Sequence, residues 1–224
     1  IRNYNTEFKQ GIYQAKFSND GTMLGVVSWE FVKSVIGFAK VLEVATGRLI
    51  QRFDTDNHPA SAIRFSSDNK KIYTGTWGFQ VKQHDIAGGQ TDWNYDMREF
   101  DYYTAVQSLD VSPDNKYVAQ SGKDNKIRIL SATDGKIIHD IETWEGHKEW
   151  VNGIRFSPDG KRFATVSDDG LLKIWETATA QTLFTFKGHT AGMNQLAWHP
   201  DGKRIFTTAS DNTVRVWDIT QPGE

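Results

Sequence analysis

The 224-residue chain has a formal net charge of −2, and 38% of its residues are hydrophobic, 24% charged and 12% aromatic. The length suits one domain, or two small ones, with a sizeable core, and the near-zero charge excludes a strongly basic nucleic-acid binder. The sequence has no cysteine, no signal-peptide pattern and no run of about 18 apolar residues. These features exclude disulfides and thiolate metal sites, and we expect a cytoplasmic protein without membrane or nucleic-acid partners.

A four-residue turn pattern recurs five times along the chain. Its third residue is always Asp, and successive Asp residues lie 48, 46, 45 and 42 positions apart. Pro presets the backbone at the first central position, Asp bonds the local backbone, and Gly or Asn tolerates a positive φ. Each copy therefore predicts a hairpin turn. The copies are residues 18–21, 66–69, 112–115, 157–160 and 199–202.

Short alternating strands flank each turn, and the fourth copy shows them clearly. Residues 151–156 precede its turn and residues 161–166 follow it, with further strands predicted at 171–175 and 182–186. The sequence shows no helical periodicity. Four short antiparallel strands every 42 to 48 residues have the period of a β-propeller blade.

Two dipeptide motifs accompany the last two repeats. Gly146-His147 and Gly188-His189 precede a first strand, and Trp175-Glu176 and Trp217-Asp218 end a third strand. With these motifs the chain resembles the WD-repeat (WD40) family over essentially its whole length. The resemblance implies an all-β fold, a WD40-type β-propeller built from four-stranded repeats. The first three repeats depart from the motif at the Trp position, which is occupied by Leu42, His84 and Leu130.

The repeats divide the whole chain, residues 1–224, into one propeller with approximate boundaries 11–56, 57–103, 104–147, 148–189 and 190–220. The resemblance implies that each repeat supplies three strands of one blade and the outer strand of the blade before. Residues 1–10 then form an outer strand that either closes a five-bladed ring or belongs to a blade outside this sequence. The second arrangement is favoured here, because propellers of this family most often have seven blades. Oligomeric state stays open.

Two sets of polar side chains share one spacing, with Asp four residues after Thr and six before Trp. The resemblance implies that each set is a hydrogen-bonded structural tetrad. A hydroxyl, an imidazole and a carboxylate also make up a nucleophilic triad, but a triad occurs once in a cleft, whereas this set occurs on successive repeats. We therefore expect each set to hold neighbouring loops together and to have no catalytic role. They are His147, Thr165, Asp169 and Trp175, and His189, Thr207, Asp211 and Trp217.

Insertions mark candidate binding loops. Repeats two to five have 19 residues between the end of the first strand and the Trp position, whereas repeat one has 25, which adds about six residues within its second hairpin, residues 28–38. The link after repeat two is also longer. Loops on a rigid scaffold carry function, and Trp and Tyr are typical hot-spot residues, although these rings could instead cap the propeller or pack beneath the loops. The aromatic residues of the insertions are Trp29, Phe31, Phe38, Phe100, Tyr102 and Tyr103.

Further candidate positions follow from the repeat frame. In the family that the chain resembles, residues at the start of the first strand and before the turn Asp commonly face the top opening of the propeller. Trp150 is the sharpest candidate, since its ring has polar neighbours at Asn152 and Asp168, but it could also pack against residues 146–147 or a neighbouring loop. The other positions are Tyr13, Trp77, Phe79, Gln107, Lys123, Asn194 and Ser210.

These observations favour a non-catalytic scaffold that binds a peptide or a partner domain on the top face of the propeller. A sensor or regulatory C-terminal module of a larger multidomain protein is the alternative. A propeller enzyme would need convergent carboxylates or histidines in its channel, and the channel positions supply mainly Tyr, Ser, Gln and Asn. Since the histidines form no pair with metal-ligand spacing, we expect no catalytic residue, no metal and no cofactor.

Overall fold

The computed structural model describes residues 11–31, 35–56, 58–97, 105–142 and 146–220, without the side chains of residues 29–31 and 35–36. The chain divides into two compact units, residues 1–106 and residues 107–224. The described residues form nineteen β-strands and no helix. Accordingly, none of them lies in a helix that could cross a membrane.

The first unit contains two four-stranded antiparallel sheets, each in sequential order. The strands of the first sheet are β1 (Ile12–Phe17), β2 (Met23–Phe31), β3 (Val35–Glu43) and β4 (Leu49–Asp54). The strands of the second sheet are β5 (Ala60–Phe65), β6 (Lys71–Thr76), β7 (Gln80–Asp85) and β8 (Thr91–Asp96).

The second unit contains two four-stranded sheets and one three-stranded sheet, again with sequence neighbours paired. The strands of the first of these are β9 (Val106–Val111, which begins at the unit boundary), β10 (Tyr117–Gly122), β11 (Ile127–Ser131) and β12 (Ile137–Ile141). The next contains β13 (Val151–Phe156), β14 (Arg162–Ser167), β15 (Leu171–Glu176) and β16 (Thr182–Lys187). The last contains β17 (Met193–Trp198), β18 (Arg204–Ala209) and β19 (Val214–Asp218).

The recurring Asp turn joins the first two strands of each sheet. In the fourth copy the Ser157 hydroxyl donates to Asp159 Oδ1 at 2.6 Å, and the Lys161 and Arg162 amides donate to Asp159 Oδ1 and Ser157 Oγ. These bonds satisfy backbone amides that have no partner in the ladder where the chain reverses direction. The predicted positive φ is confirmed at every copy, at Gly21, Asn69, Asn115, Gly160 and Gly202.

Each unit has apolar cores between its sheets. In the first unit, Val41 and Phe53 of the first sheet pack with Ile63 and Ile72 of the second. Each fully buried aliphatic or aromatic side chain of this kind stabilises the fold by about 1.5–3 kcal/mol. The sheets of this unit are held together mainly by such side chains.

Two cores join the three sheets of the second unit. Ile129 and Ile141 pack with Ile154 and Phe156 in the first of these cores. The second core has its own set of buried side chains, which includes Leu172, Ile174, Met193, Leu196 and Ile205.

A close approach of sheets explains one glycine. A Cβ on Gly153 would lie 2.7 Å from Leu196 Cδ2 and 2.9 Å from Val166 Cγ2. Real Cβ atoms do not come this close, so a side chain at this position would require the Leu196 and Val166 side chains to shift.

The insertion of repeat one lies in strands rather than in a loop. β2 and β3 each run for nine residues, and their ladder extends to the pair Phe31–Val35. Phe38, expected as a binding aromatic, is 6% exposed and carries the Arg52 guanidinium 3.7 Å from its ring centroid. That expectation was wrong for Phe38, whose ring is buried beneath the Arg52 side chain.

Candidate functional site

A β-bulge shapes the start of four first strands. The register skips one residue between Val151 and Gly153, so Asn152 lies outside the ladder. Bulges re-aim side chains and are common next to functional sites. The repeat frame singled out the same position for binding. The other bulged residues are Tyr13, Ser61 and Asn194.

Trp150 stands at the entry of β13 and is 44% exposed. The Lys123 ammonium lies 4.4 Å from the centroid of its ring. Such cation–π contacts contribute about 0.5–1 kcal/mol at exposed sites. Lys123, in the turn between β10 and β11, thus packs on one face of the indole, while Trp150 remains 44% exposed.

Asn152 and Asp168 lie next to Trp150. The Asp168 amide donates to the Trp150 carbonyl at 3.0 Å, and Asn152 Nδ2 donates both to Asp168 Oδ1 at 2.7 Å and to the Met193 carbonyl at 2.9 Å. A Cβ on Gly192 would lie 2.6 Å from Asp168 Oδ1. Glycine at residue 192 therefore leaves room for the carboxylate.

Asn194 extends this group towards β18. Its Nδ2 donates to Ser210 Oγ at 3.4 Å, and the Ser210 amide donates to the Gly192 carbonyl at 2.9 Å. Asn194 itself is exposed. We call the group of Lys123, Trp150, Asn152, Asp168 and Asn194 the Trp150 surface.

The first unit has an aromatic pair of its own. Tyr13 and Trp77 are 48% and 40% exposed, and their ring centroids are 5.0 Å apart with an interplanar angle of 85°. Edge-to-face pairs of this kind stabilise each other by about 0.5–1.5 kcal/mol. Partial burial raises the pKa of the Tyr13 hydroxyl, so it stays protonated and can donate to a ligand.

The remaining candidate residues are half-buried or lie outside the part of the chain whose side chains are described. Phe79 is half-buried at a left-handed φ of 65°, which follows from the tight turn between β6 and β7. Gln107 is half-buried in β9. Trp29 and Phe31 belong to β2, and their side chains are outside the described part. The aromatic residues Phe100, Tyr102 and Tyr103 and residues 1–10 also lie outside the described residues.

His147, Thr165, Asp169 and Trp175 form one hydrogen-bonded chain. His147 Nδ1 lies 2.9 Å from Asp169 Oδ2, its Nε2 lies 2.7 Å from Thr165 Oγ1, and the Trp175 indole N–H donates to Thr165 Oγ1 at 2.8 Å. All donors are used if Nδ1–H donates to the carboxylate and the hydroxyl donates to Nε2. The Lys148 amide also donates to Asp169 Oδ2, so the chain ties the β14–β15 turn to the link before β13.

The last sheet repeats this arrangement. His189 Nδ1 lies 2.8 Å from Asp211 Oδ2, its Nε2 lies 2.8 Å from Thr207 Oγ1, and Trp217 Nε1 donates to that oxygen at 2.8 Å. The difference lies in burial, since Trp175 is 1% exposed whereas Trp217 is only partly buried. Next to Trp217, the side chains of Val214 and Val216 are 67% and 56% exposed.

Protonation follows from the same contacts. Burial lowers the pKa of His147, although the bond to Asp169 opposes the shift. Burial would raise the pKa of Asp169, but hydrogen bonds from His147 and two backbone amides outweigh it and lower the pKa overall. Hydrogen bonds from Thr213 and His189 lower the pKa of Asp211. His147 is therefore neutral and both carboxylates are ionised near pH 7.

The tetrads lack the geometry of a nucleophilic site. Thr165 and Thr207 are 0% and 1% exposed, and each hydroxyl is occupied by an imidazole and an indole. A nucleophile must present its oxygen to a substrate. These two hydroxyls instead satisfy buried polar groups that would cost about 1–3 kcal/mol each if left unpaired.

Sequence reasoning missed the role of His84 in the second sheet. It occupies the Trp position, its Nε2 lies 3.0 Å from Thr74 Oγ1, and its Nδ1 lies 2.9 Å from Thr91 Oγ1. The sequence did contain a signal for this role: Thr74 precedes His84 by ten residues, the same separation as between Thr165 and Trp175. Burial and the nearby Lys82 lower the pKa of His84 to about 3, so the ring is neutral.

The comparisons with known proteins agree with this repeated geometry. The family described as "WD domain, G-beta repeat" matches residues 97–131, 139–176 and 180–218, which together make up half of the chain. The serine-threonine kinase receptor-associated protein of Bos taurus is 29% identical over 86 residues, which are 38% of this chain and 24% of that protein.

Two further relatives align with parts of the chain. The nucleoporin Nup37 of Homo sapiens is 29% identical over 123 residues, 51% of this chain and 36% of its own length. The protein HIR1 of Kluyveromyces lactis is 39% identical over 95 residues, 35% of this chain and 11% of its own length. The alignments thus span well under half of each of these relatives. The family match over half of the chain and the five antiparallel sheets of the described residues show that this chain belongs to the WD40 repeat family of β-propellers.

Proposed function

We propose that this chain is a non-catalytic protein-interaction scaffold whose partner binds the Trp150 surface. The observation that carries the proposal is the indole of Trp150, which is 44% exposed yet held in place by Lys123. Exposed and oriented Trp side chains are typical binding hot spots. A partner would gain by burying the ring without first having to order it.

Polar groups around the ring support a peptide or protein ligand. Asp168 Oδ1 is fixed by Asn152, and Asn194 is exposed beside Ser210. An apolar plate with a few placed acceptors and donors suits a partner that brings both an apolar side chain and backbone amides. The exposed Tyr13–Trp77 pair offers the first unit a comparable contact.

The relatives favour the same class of function. WD40 repeat proteins are in general interaction scaffolds, and one relative is named for its association with a kinase receptor. Each tetrad Thr is enclosed by its His and Trp. These points support a role in binding rather than in catalysis.

Affinity capture with two variants tests the proposal. The purified 224-residue chain would be immobilised as wild type, Trp150→Ala and Leu183→Ala, and bound proteins would be quantified by mass spectrometry. Leu183 is the control because it is an exposed apolar residue, at 43%, on the outer strand β16. We expect a set of proteins that Trp150→Ala loses and Leu183→Ala retains, with a loss of at least tenfold in affinity for each purified partner.

Circular dichroism would verify that both variants remain folded, as the exposure of both side chains predicts. If Trp150→Ala keeps every partner at unchanged affinity, the Trp150 surface is not the binding site and the proposal fails.

A further inference from the structure

A groove of about 620 Å³ lies between strand β12 and the turn that joins β15 to β16. It is distinct from the Trp150 surface and belongs entirely to the second unit. On the β12 side it is lined by Ile138, His139 and Ile141, and on the turn side by Ala180 and Thr182.

Strand β12 forms the end of its sheet. The strand order is β12, β11, β10, β9, so one edge of β12 has no neighbouring strand among the described residues. Unpaired N–H and C=O groups along such an edge are a template for an added strand. Ile137 and Ile138 on this edge strand are 40% and 43% exposed. The edge therefore combines backbone hydrogen-bonding capacity with apolar surface.

The wall of the groove carries a strained residue. Ala180 has a φ of +56°, whereas Gly47, Gly89 and Gly135 occupy the same place in the other turns between third and fourth strands. A left-handed conformation costs a residue with a Cβ about 1–2 kcal/mol. The Ala180 side chain packs against the core cluster that contains Trp175 and Ile141. The methyl group therefore adds apolar surface to the lining of the groove, which a glycine would not supply.

The two walls of the groove are already tied together. His139 Nε2 lies 3.1 Å from the Ala178 carbonyl oxygen, which links β12 to the opposite turn. A groove that exists before binding needs little reorganisation, and this lowers the cost of association.

The charge at the groove is negative. Asp140 lines it, and its Oδ1 lies 3.4 Å from Arg128 Nε, while Arg128 Nη1 also bonds Asp124 at 2.7 Å. One guanidinium thus faces two carboxylates, which leaves a net charge of −1 on the cluster. The Asp140 side chain is 35% exposed, so it can pair with a basic side chain.

We propose that β12 accepts an extended segment of a partner protein as an additional strand. An apolar side chain of that segment packs over Ile138 in the groove, and a Lys or Arg two residues away pairs with Asp140. Residues two apart on a strand share a face, so the apolar and basic residues of the segment have the same spacing as Ile138 and Asp140. This site is a second interaction surface and does not depend on the Trp150 surface.

The test uses a phage-displayed library of random 12-residue peptides, selected on the intact 224-residue chain. The best peptide would be synthesised with a fluorophore and its affinity measured by anisotropy. We expect Ile138→Lys to weaken binding at least tenfold and Asp140→Asn to weaken it about threefold. Trp150→Ala should leave the affinity for this peptide unchanged.

Leu183→Lys is the matched control. Leu183 lies at the bulge between β15 and β16 as Ile138 lies at the bulge between β11 and β12, and both are 43% exposed. This variant should bind the peptide within twofold of wild type. Hydrogen exchange on the wild-type protein gives an independent reading, since an added strand must slow those amides of residues 137–141 that point away from β11.

Three outcomes would overturn the proposal. One is a library that yields no peptide whose binding depends on Ile138. Another is an equal loss of affinity in Leu183→Lys and Ile138→Lys, which would indicate general adhesion to outer strands. The third is a bound peptide that leaves the exchange of residues 137–141 unchanged.

Discussion

The two tetrads allow the contribution of burial to be separated from that of hydrogen bonding. Trp175→Ala and Trp217→Ala each remove an indole N–H that donates to a Thr hydroxyl at 2.8 Å. The hydrogen-bond contribution, about 1 kcal/mol, is therefore the same in both variants and cancels in their difference. The two indoles differ in exposure, since Trp175 is 1% exposed and stacks on Phe163 at 5.8 Å, while Trp217 is partly exposed.

The expected costs follow from this difference in burial. Replacing a fully buried Trp with Ala lowers the free energy of unfolding by about 3–5 kcal/mol. A partly exposed ring has less area to lose, so Trp217→Ala should cost about 1–3 kcal/mol. Urea unfolding followed by far-UV circular dichroism measures both values, provided that the m-values of the variants agree.

Thr165→Val and Thr207→Val supply the control for hydrogen bonding. Both hydroxyls are buried and make the same two bonds, so their losses should agree within about 1 kcal/mol. Equal costs for Trp175→Ala and Trp217→Ala would refute the reasoning, because burial would then not decide the contribution of the ring.

Two further predictions concern pH and a close contact. His84 has a pKa of about 3 in the folded protein against 6.5 as its ordinary value, so the unfolded chain binds the proton first and stability is lost as pH falls from about 6.5 to about 3. Over this range the free energy of unfolding of the wild type should fall by up to about 1.4 kcal/mol per pH unit more than that of His84→Gln. Urea titrations at several pH values measure it, and parallel curves of stability against pH for the two proteins would contradict the assignment. Gly192→Ala should displace Asp168, since the new Cβ would lie 2.6 Å from Oδ1 and 2.9 Å from the Asp168 Cα. We expect weaker binding of partners that depend on Trp150, measured by calorimetry, and an unchanged affinity would show that Asp168 is not part of the surface.

Local chemistry made the turns predictable, whereas the tetrads were predicted from the resemblance to the WD40 family. Asp159 and its preceding Ser157 act within a few residues of each other, and the tetrad spacing is fixed by the pairing of adjacent strands. A repeated pattern of this kind can be read without knowing which sheets pack together. The resemblance to the family made Asn152 a candidate binding residue, but the bulge at its position was not predicted.

Contacts between repeats and local strain were not predictable in the same way. Lys123 reaches Trp150 from another sheet, and nothing in the spacing of these residues signals a cation above an indole. The burial of Phe38 includes the contact with Arg52 of the adjacent strand, which the residue spacing does not signal. Ala180 looks like an ordinary turn residue until its φ of +56° is known.

The bulges at the first strands determine where the sequence of this protein can vary without altering the sheets. A residue outside the ladder can be replaced without shifting the register, so its neighbours keep their faces. Tyr13, Asn152 and Asn194 therefore hold positions whose identity is free to drift under selection for new partners, while the strands that carry them stay constant. The same independence makes these three positions the natural ones to randomise in a library of engineered binders.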